Sequence, residues 1–184
     1  MSLLEIMIER NGELAARQKK SGKLMPSLSA QLPHVKALVV GCADMRVDPE
    51  AVLGFEPGEA VVIRNIGGRI TPGLLQQLGL LGRIGEVAQA VPGGGGEFHL
   101  IVLHHTDCGI KRLAGDPAML ATYFEVPDDQ LADKAVTDPR AAVTADVDVL
   151  RGVSGLPPHW LLSGLVYDVS TGLVDIVVPP GPLQ

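Results

Sequence analysis

Aromatic side chains are scarce in this chain: three phenylalanines, two tyrosines and one tryptophan among 184 residues. So few rings do not build the stacking platforms on which single-stranded nucleic acid is held. Charge argues the same way. A balance of 15 basic against 21 acidic residues leaves a formal net charge of −6, and the lysines and arginines form no long cluster. No apolar run approaches the ~20 residues of a membrane-spanning helix. The first residues, from Met1 to Arg10, have no basic segment before their apolar positions, and Glu5 and Glu9 interrupt those positions, which argues against a secretory signal. The expected setting is therefore a reducing cytoplasm, with no nucleic-acid and no membrane partner.

Cysteine is nearly absent as well. Cys42 and Cys108 are the only two, separated by 65 residues, and no Cys-x-x-Cys pair exists to support thiol-redox chemistry. In a reducing compartment a disulfide is disfavoured, which leaves a metal ligand or a buried free thiol. Spacing alone leaves both open. What stands around the two cysteines favours the metal. Cys42 closes the apolar run Ala37-Leu38-Val39-Val40-Gly41. Cys108 follows Phe98-His99-Leu100-Ile101-Val102-Leu103 and the pair His104-His105. Each run reads as a buried strand feeding a loop. One thiolate from one strand end and a His-x-x-Cys pair from another make two sulfurs and one imidazole, the donor set of a catalytic zinc that keeps one open position.

The remaining pattern supplies the sheet. The first twenty residues read as a helix with Leu4, Ile8 and Leu14 among charges, broken by Lys19 to Lys23. Ala60 to Arg64 is a second strand. Thr71 caps a helix that begins at Pro72, with Leu74, Leu75, Leu78, Leu81 and Val87 as its apolar face; Gly79, Gly82 and Gly85 weaken it unless they permit close packing. Pro92 to Gly96 is a flexible connector without the lysine of a phosphate-binding loop. Asp116 to Asp138 reads as irregular, punctuated by Pro117 and Pro127, and Pro139 to Leu150 as helical. Leu161–Val169 and Leu173–Val178 are strands joined by a turn at Ser170-Thr171-Gly172. The alternation predicts an α/β fold: a mainly parallel central sheet flanked by helices, with an antiparallel edge strand near the C-terminus. The expected organisation is one domain over 1–184, with residues 1–30 as an N-terminal helical arm. Ligands of such sheets bind beyond the carboxyl ends of strands, where Cys42 and the His105/Cys108 pair fall.

Asp44 and Arg46 follow Cys42 closely. An Asp beside a metal could fill the open coordination position itself; paired to a guanidinium, it is held off the metal as a hydrogen-bond acceptor. The plain alternative is a surface salt bridge.

These residues resemble the β-class carbonic anhydrases. The resemblance rests on Cys42-x-Asp44-x-Arg46, on Arg64-Asn65-Ile66-Gly67, on His105-x-x-Cys108-Gly109 and on the strand and turn from Gly164 to Gly172, in family order over most of the chain from Ala37 to Val177. It implies zinc held by Cys42, His105 and Cys108. It implies reversible hydration of carbon dioxide to bicarbonate by attack of zinc-bound hydroxide. It also implies Asp44 and Arg46 as the catalytic pair, and Gly109, Ile66 and Gly67 beside the substrate. The family assembly implied is a homodimer or higher even oligomer, which the 46% hydrophobic content also suits. Departures from the family pattern are Ile66 for Ala, Gly68 where many members carry Asn, and Met45 where Ser or Ala is common; a larger Ile66 is expected to narrow the pocket. Hydrolysis of a related heterocumulene, carbonyl sulfide or carbon disulfide, is an alternative, as is a non-catalytic zinc-binding regulatory role. His104 is expected to pack beside the site rather than bind metal, and His34, His99 and His159 to take core or surface roles.

Overall fold

A computed structural model describes residues 1–88 and 91–183. Five strands form one sheet: β1 (Ala37–Cys42), β2 (Ala60–Asn65), β3 (His99–His105), β4 (Leu161–Asp168) and β5 (Leu173–Pro182). Their spatial order is β2-β1-β3-β4-β5. All neighbours run parallel except β4 and β5, which pair antiparallel at one edge. The predicted α/β sheet with its antiparallel edge strand is therefore the fold.

The helices are α1 (Leu3–Ser21), α2 (Leu28–Gln31), α3 (Pro49–Leu53), α4 (Pro72–Val87), α5 (Pro117–Phe124) and α6 (Pro139–Arg151). Local chemistry sets their ends. Ser2 and Glu5 form a reciprocal capping box at the start of α1, and Gly22 closes it in the left-handed region at φ 68°. Thr71 accepts from the Leu74 amide at the start of α4, with Pro72 at the first position as the sequence predicts.

The central strands are buried on both faces, and the period of two divides their side chains. Leu38, Val40, Leu100 and Val102 face a core closed by Leu74 and Leu78 of α4 and by Val143, Val147 and Leu150 of α6. Ala37, Val39, Ile101 and Leu103 face the opposite core with Val47 and Leu165. Parallel pairing sets Cys42 beside Asn65, and Gly41 beside Leu103, so the carboxyl ends of β1, β2 and β3 come together.

Four expectations change. The stretch from Asp116 to Asp138 is not irregular: it holds α5 and a 3-10 segment, Asp128–Lys134. Pro117, read as punctuation, stands at the start of α5, where Asp116 caps the Met119 amide, and the helix buries Leu120, Ala121 and Phe124. Pro92–Gly95 forms a 3-10 turn rather than a shapeless connector. β5 continues to Pro182, past the Val178 limit, because an edge strand has a row of backbone groups that need no partner and so tolerates proline. On α4, Leu74 and Leu78 are buried but Val87 is 70% exposed, so the apolar stripe stops short of the helix end. A methyl group at Gly79 or Gly82 would meet nothing within 4 Å, so neither glycine serves close packing.

Candidate metal centre

Cys42 is the last residue of β1 and His105 the last of β3; Cys108 lies three residues further, after a tight turn. Their ligand atoms all lie within 4.8 Å of one another. The two sulfurs are 3.6 Å apart, far beyond the ~2.05 Å of a disulfide, and both thiols are free.

The histidine is set for coordination. His105 Nδ1 is 2.8 Å from the carbonyl oxygen of Thr106, an acceptor only, so Nδ1 carries the proton and Nε2 keeps its lone pair. That Nε2 is buried and has no hydrogen-bond partner among the described residues. An orphaned imidazole nitrogen against two sulfurs is unfavourable unless something fills the space between them. Two thiolates and one neutral imidazole at tetrahedral reach fit zinc.

The contact between the two sulfurs favours one thiolate beside one thiol. The hydrogen bond from Cys108 pushes Cys42 down to about 4, against the opposing effect of burial. Cys108, which donates that bond, is pushed up by it and by burial. Burial pushes the His105 imidazole down, but the nearby Cys42 thiolate outweighs it and raises the group overall. A cation at the centre would deprotonate Cys108 and hold His105 neutral, so binding releases protons.

Asp44 and Arg46 sit at the mouth. The loop after β1 bends in a turn in which the Val47 amide donates to the Asp44 carbonyl at 3.1 Å. Arg46 donates through Nε to Asp44 Oδ1 at 3.0 Å and through Nη2 to Oδ2 at 2.7 Å, a two-point pair. The guanidinium holds the Asp44 carboxyl far below the usual carboxylate range. Asp44 Oδ2 stands 3.9 Å from His105 Nε2. The Asp44 side chain is only 10% exposed, so the pair is not the free surface salt bridge of the plain reading.

Ile66 and Gly67 lie in the turn after β2. Gly67 adopts φ 79°, and a Cβ there would approach Ile110 Cδ1 to 2.9 Å, so this turn packs against the segment that follows Cys108. Ile66 is 52% exposed rather than packed into the site. Gly109 is exposed, with nothing within 4 Å of a Cβ placed on it. His104 is no ligand: its Nε2 is 3.2 Å from both the Gly68 carbonyl and Asp146 Oδ2, on the far side of β3 from the thiols.

Three residues without a predicted role shape the centre. Arg64 donates to the carbonyls of Cys42 at 2.9 Å, Asp44 at 2.6 Å and Val47 at 2.8 Å, and so ties down the loop that carries Cys42 and Asp44. Arg69, 1% exposed, pairs with Asp146 at 2.7 Å. Asp107 hydrogen-bonds Arg46. Arg64 lay inside a recognised motif, but nothing in one sequence marks the loop carbonyls it would reach.

A family profile described as carbonic anhydrase matches residues 37–147. A carbonic anhydrase of Pseudomonas aeruginosa is 46% identical over 162 residues, covering 76% of this chain and 72% of that protein. A carbon disulfide hydrolase of Acidianus sp. is 28% identical over 168 residues, covering 76% of each. Among solved structures, the carbonic anhydrase of Streptococcus mutans superposes with a TM-score of 0.65 at 28% identity, covering 96% of this chain and 98% of that one.

Proposed function

This chain belongs to the β-carbonic anhydrase family, and we propose that it catalyses the reversible hydration of carbon dioxide at the Cys42–His105–Cys108 centre. The observation that carries this reading is the buried, unpartnered Nε2 of His105 facing two thiols beside a carboxylate that is held by an arginine. Zinc, when bound, acts as a Lewis acid that lowers the pKa of a water from 15.7 to about 7.

The chain's own residues do the rest. Cys42 Sγ, His105 Nε2 and Cys108 Sγ would hold the metal, and Asp44 stands beside them, its Oδ2 3.9 Å from His105 Nε2. Asp44 accepts a hydrogen bond from the attacking water and so orients its lone pair toward the substrate carbon. Arg46 donates to both Asp44 oxygens and would so keep the carboxylate from binding the metal itself. Arg64 fixes the loop on which both side chains stand. Gly67, Ile66 and Gly109 stand in the two turns beside the centre, where the linear substrate would approach; Ile66, at 52% exposed, faces solvent and does not narrow that approach.

A homodimer or higher even oligomer, in the cytoplasm, completes the reading. α1 has no buried residue, and Leu3, Leu4, Met7, Ile8 and Leu14 lie 45% to 71% exposed along it. An apolar stripe of this kind needs a covering surface. A second copy of the chain is the cover favoured here; no helix among the described residues is long and apolar enough to cross a membrane.

The likeness to a carbon disulfide hydrolase supports a second reading, in which the same centre hydrolyses that heterocumulene or carbonyl sulfide. Stopped-flow rates with carbon dioxide, carbonyl sulfide and carbon disulfide on one preparation separate the two. Carbon dioxide is expected to turn over fastest. Turnover of carbon disulfide with none of carbon dioxide would replace the first reading by the second.

A further inference from the structure

We propose that Asp107 is a positioning residue that clamps the Arg46 guanidinium along the edge next to the one Asp44 holds, and that the clamp keeps Asp44 off the metal. The inference rests on the metal reading given above and names a residue outside it.

The geometry is a two-sided grip. Arg46 spends Nε and Nη2 on the Asp44 carboxylate. Its remaining nitrogen, Nη1, donates to Asp107 Oδ2 at 2.9 Å, and Nη2 donates also to the Asp107 main-chain carbonyl at 3.0 Å. Asp107 is the sole partner of Nη1 among the described residues. Its other oxygen, Oδ1, faces the exposed Arg112 Nη2 at 3.6 Å, beyond hydrogen-bond reach.

Backbone conformation makes the grip possible. Asp107 has φ 53°, in the left-handed region that few residues other than glycine enter, though aspartate and asparagine tolerate it. This turn directs both the carbonyl and the carboxylate of one residue at one guanidinium. Asp107 also stands between His105 and Cys108, so the turn that sets two metal ligands sets the clamp as well.

The clamp is needed because Arg46 is long and 44% exposed. Held only by Asp44, the guanidinium would be gripped along one edge, with Nη1 left without a partner; Asp107 is itself 57% exposed, so what it adds is a second two-point contact, carboxylate and main-chain carbonyl, rather than burial. Anchored to a second carboxylate that is fixed to the ligand turn, it stays in place and holds Asp44 with it. Without the anchor Asp44 is free to turn onto the open metal position.

Two measurements on the purified protein test this. The first is the order of the Arg46 Nε–Hε bond by ¹⁵N relaxation, which needs no metal. Asp107→Ala is expected to turn a rigid bond into a mobile one, with Asp107→Asn in between because asparagine keeps the turn and a carbonyl acceptor. The second is azide binding to cobalt-substituted protein, followed by the visible spectrum. Asp107→Ala is expected to keep its cobalt and weaken azide roughly tenfold or more, since a charge-assisted bond is lost. Asp44→Asn in the same background is expected to restore azide binding, because the amide competes poorly for the metal. An equally rigid Arg46 in Asp107→Ala, or azide binding unchanged from wild type, would overturn the clamp. A wild-type protein that takes up no cobalt would overturn the metal reading and the gating role, while the relaxation result would still decide whether Asp107 holds Arg46.

Discussion

Arg69 donates through Nε to Asp146 Oδ2 at 2.7 Å, with the two side chains 1% and 0% exposed. The pair joins the turn after β2 to α6. Arg69 Nη2 adds bonds to the Lys134 carbonyl at 2.7 Å and to Asp146 Oδ1 at 3.3 Å. The same carboxylate stands 3.2 Å from His104, the neighbour of His105 in the candidate centre. A buried ion pair ties together the turn after Gly67, the end of β3 and the middle of α6. Removing one partner leaves an uncompensated buried charge. Asp146→Asn is expected to lower unfolding free energy by about 3–5 kcal/mol, read by urea denaturation. A loss under about 1 kcal/mol would place this pair with exposed ones.

The pH dependence of that pair has a definite sign. Burial pushes the Asp146 carboxyl up, but the hydrogen bond from His104 and the charge of Arg69 outweigh it and hold the group below its ordinary value. With the folded value depressed, the stability it contributes is complete above the unfolded value of about 3.9 and is lost as pH falls through the folded one. The stability gap between wild type and Asp146→Asn should therefore stay level from about pH 5 to 7 and narrow below about pH 4. A gap that narrowed on raising the pH would have the wrong sign.

Gly68 carries the closest backbone approach at the centre. It adopts φ +66°, and a Cβ there would lie 3.0 Å from the Cys42 nitrogen and 3.2 Å from the Leu103 carbonyl oxygen. Neither can yield without moving β1 or β3. Gly68→Ala is expected to reduce zinc occupancy and stability together. Gly54→Ala is the control: its φ of +71° is also left-handed, but its Cβ would meet open space. That control should lose only about 1–2 kcal/mol, the conformational cost alone, and keep its zinc. Equal behaviour of the two variants would show that the contact at Gly68 has no role.

The N-terminal helix bears on assembly rather than on the core. Deleting residues 1–20 removes no buried side chain of α1, since the helix has none. The truncated chain should sediment as a smaller species than the full one. A full-length protein that is monomeric at micromolar concentration, by sedimentation velocity, would contradict the oligomer reading.

How far the sequence reached depended on range. The strand ends bearing Cys42 and His105 were legible because buried parallel strands appear as unbroken apolar runs, and α4 because Thr71-Pro72 is a local start signal. The helix α5 was missed because its N-terminal proline reads as a breaker unless the capping role of Asp116 is seen. Asp107, Arg69 and Asp146 were not legible as partners. The bonds from Asp107 to Arg46 and from Asp146 to Arg69 span 61 and 77 residues of chain, and spacing carries no signal at that range. The left-handed backbone of Asp107 has no composition cue either, since no glycine marks it.

The most direct test of the account measures zinc and carbon dioxide hydration on the same preparations of wild type, Cys42→Ser and Arg46→Ala. The account predicts about one zinc per chain in wild type with rapid hydration, given two thiolates and one imidazole. It predicts loss of both zinc and rate in Cys42→Ser. It predicts that Arg46→Ala keeps its zinc and loses most of its rate, because Asp44 is then free to occupy the fourth position. Full zinc occupancy in Cys42→Ser, or wild-type turnover in fully metallated Arg46→Ala, would contradict it.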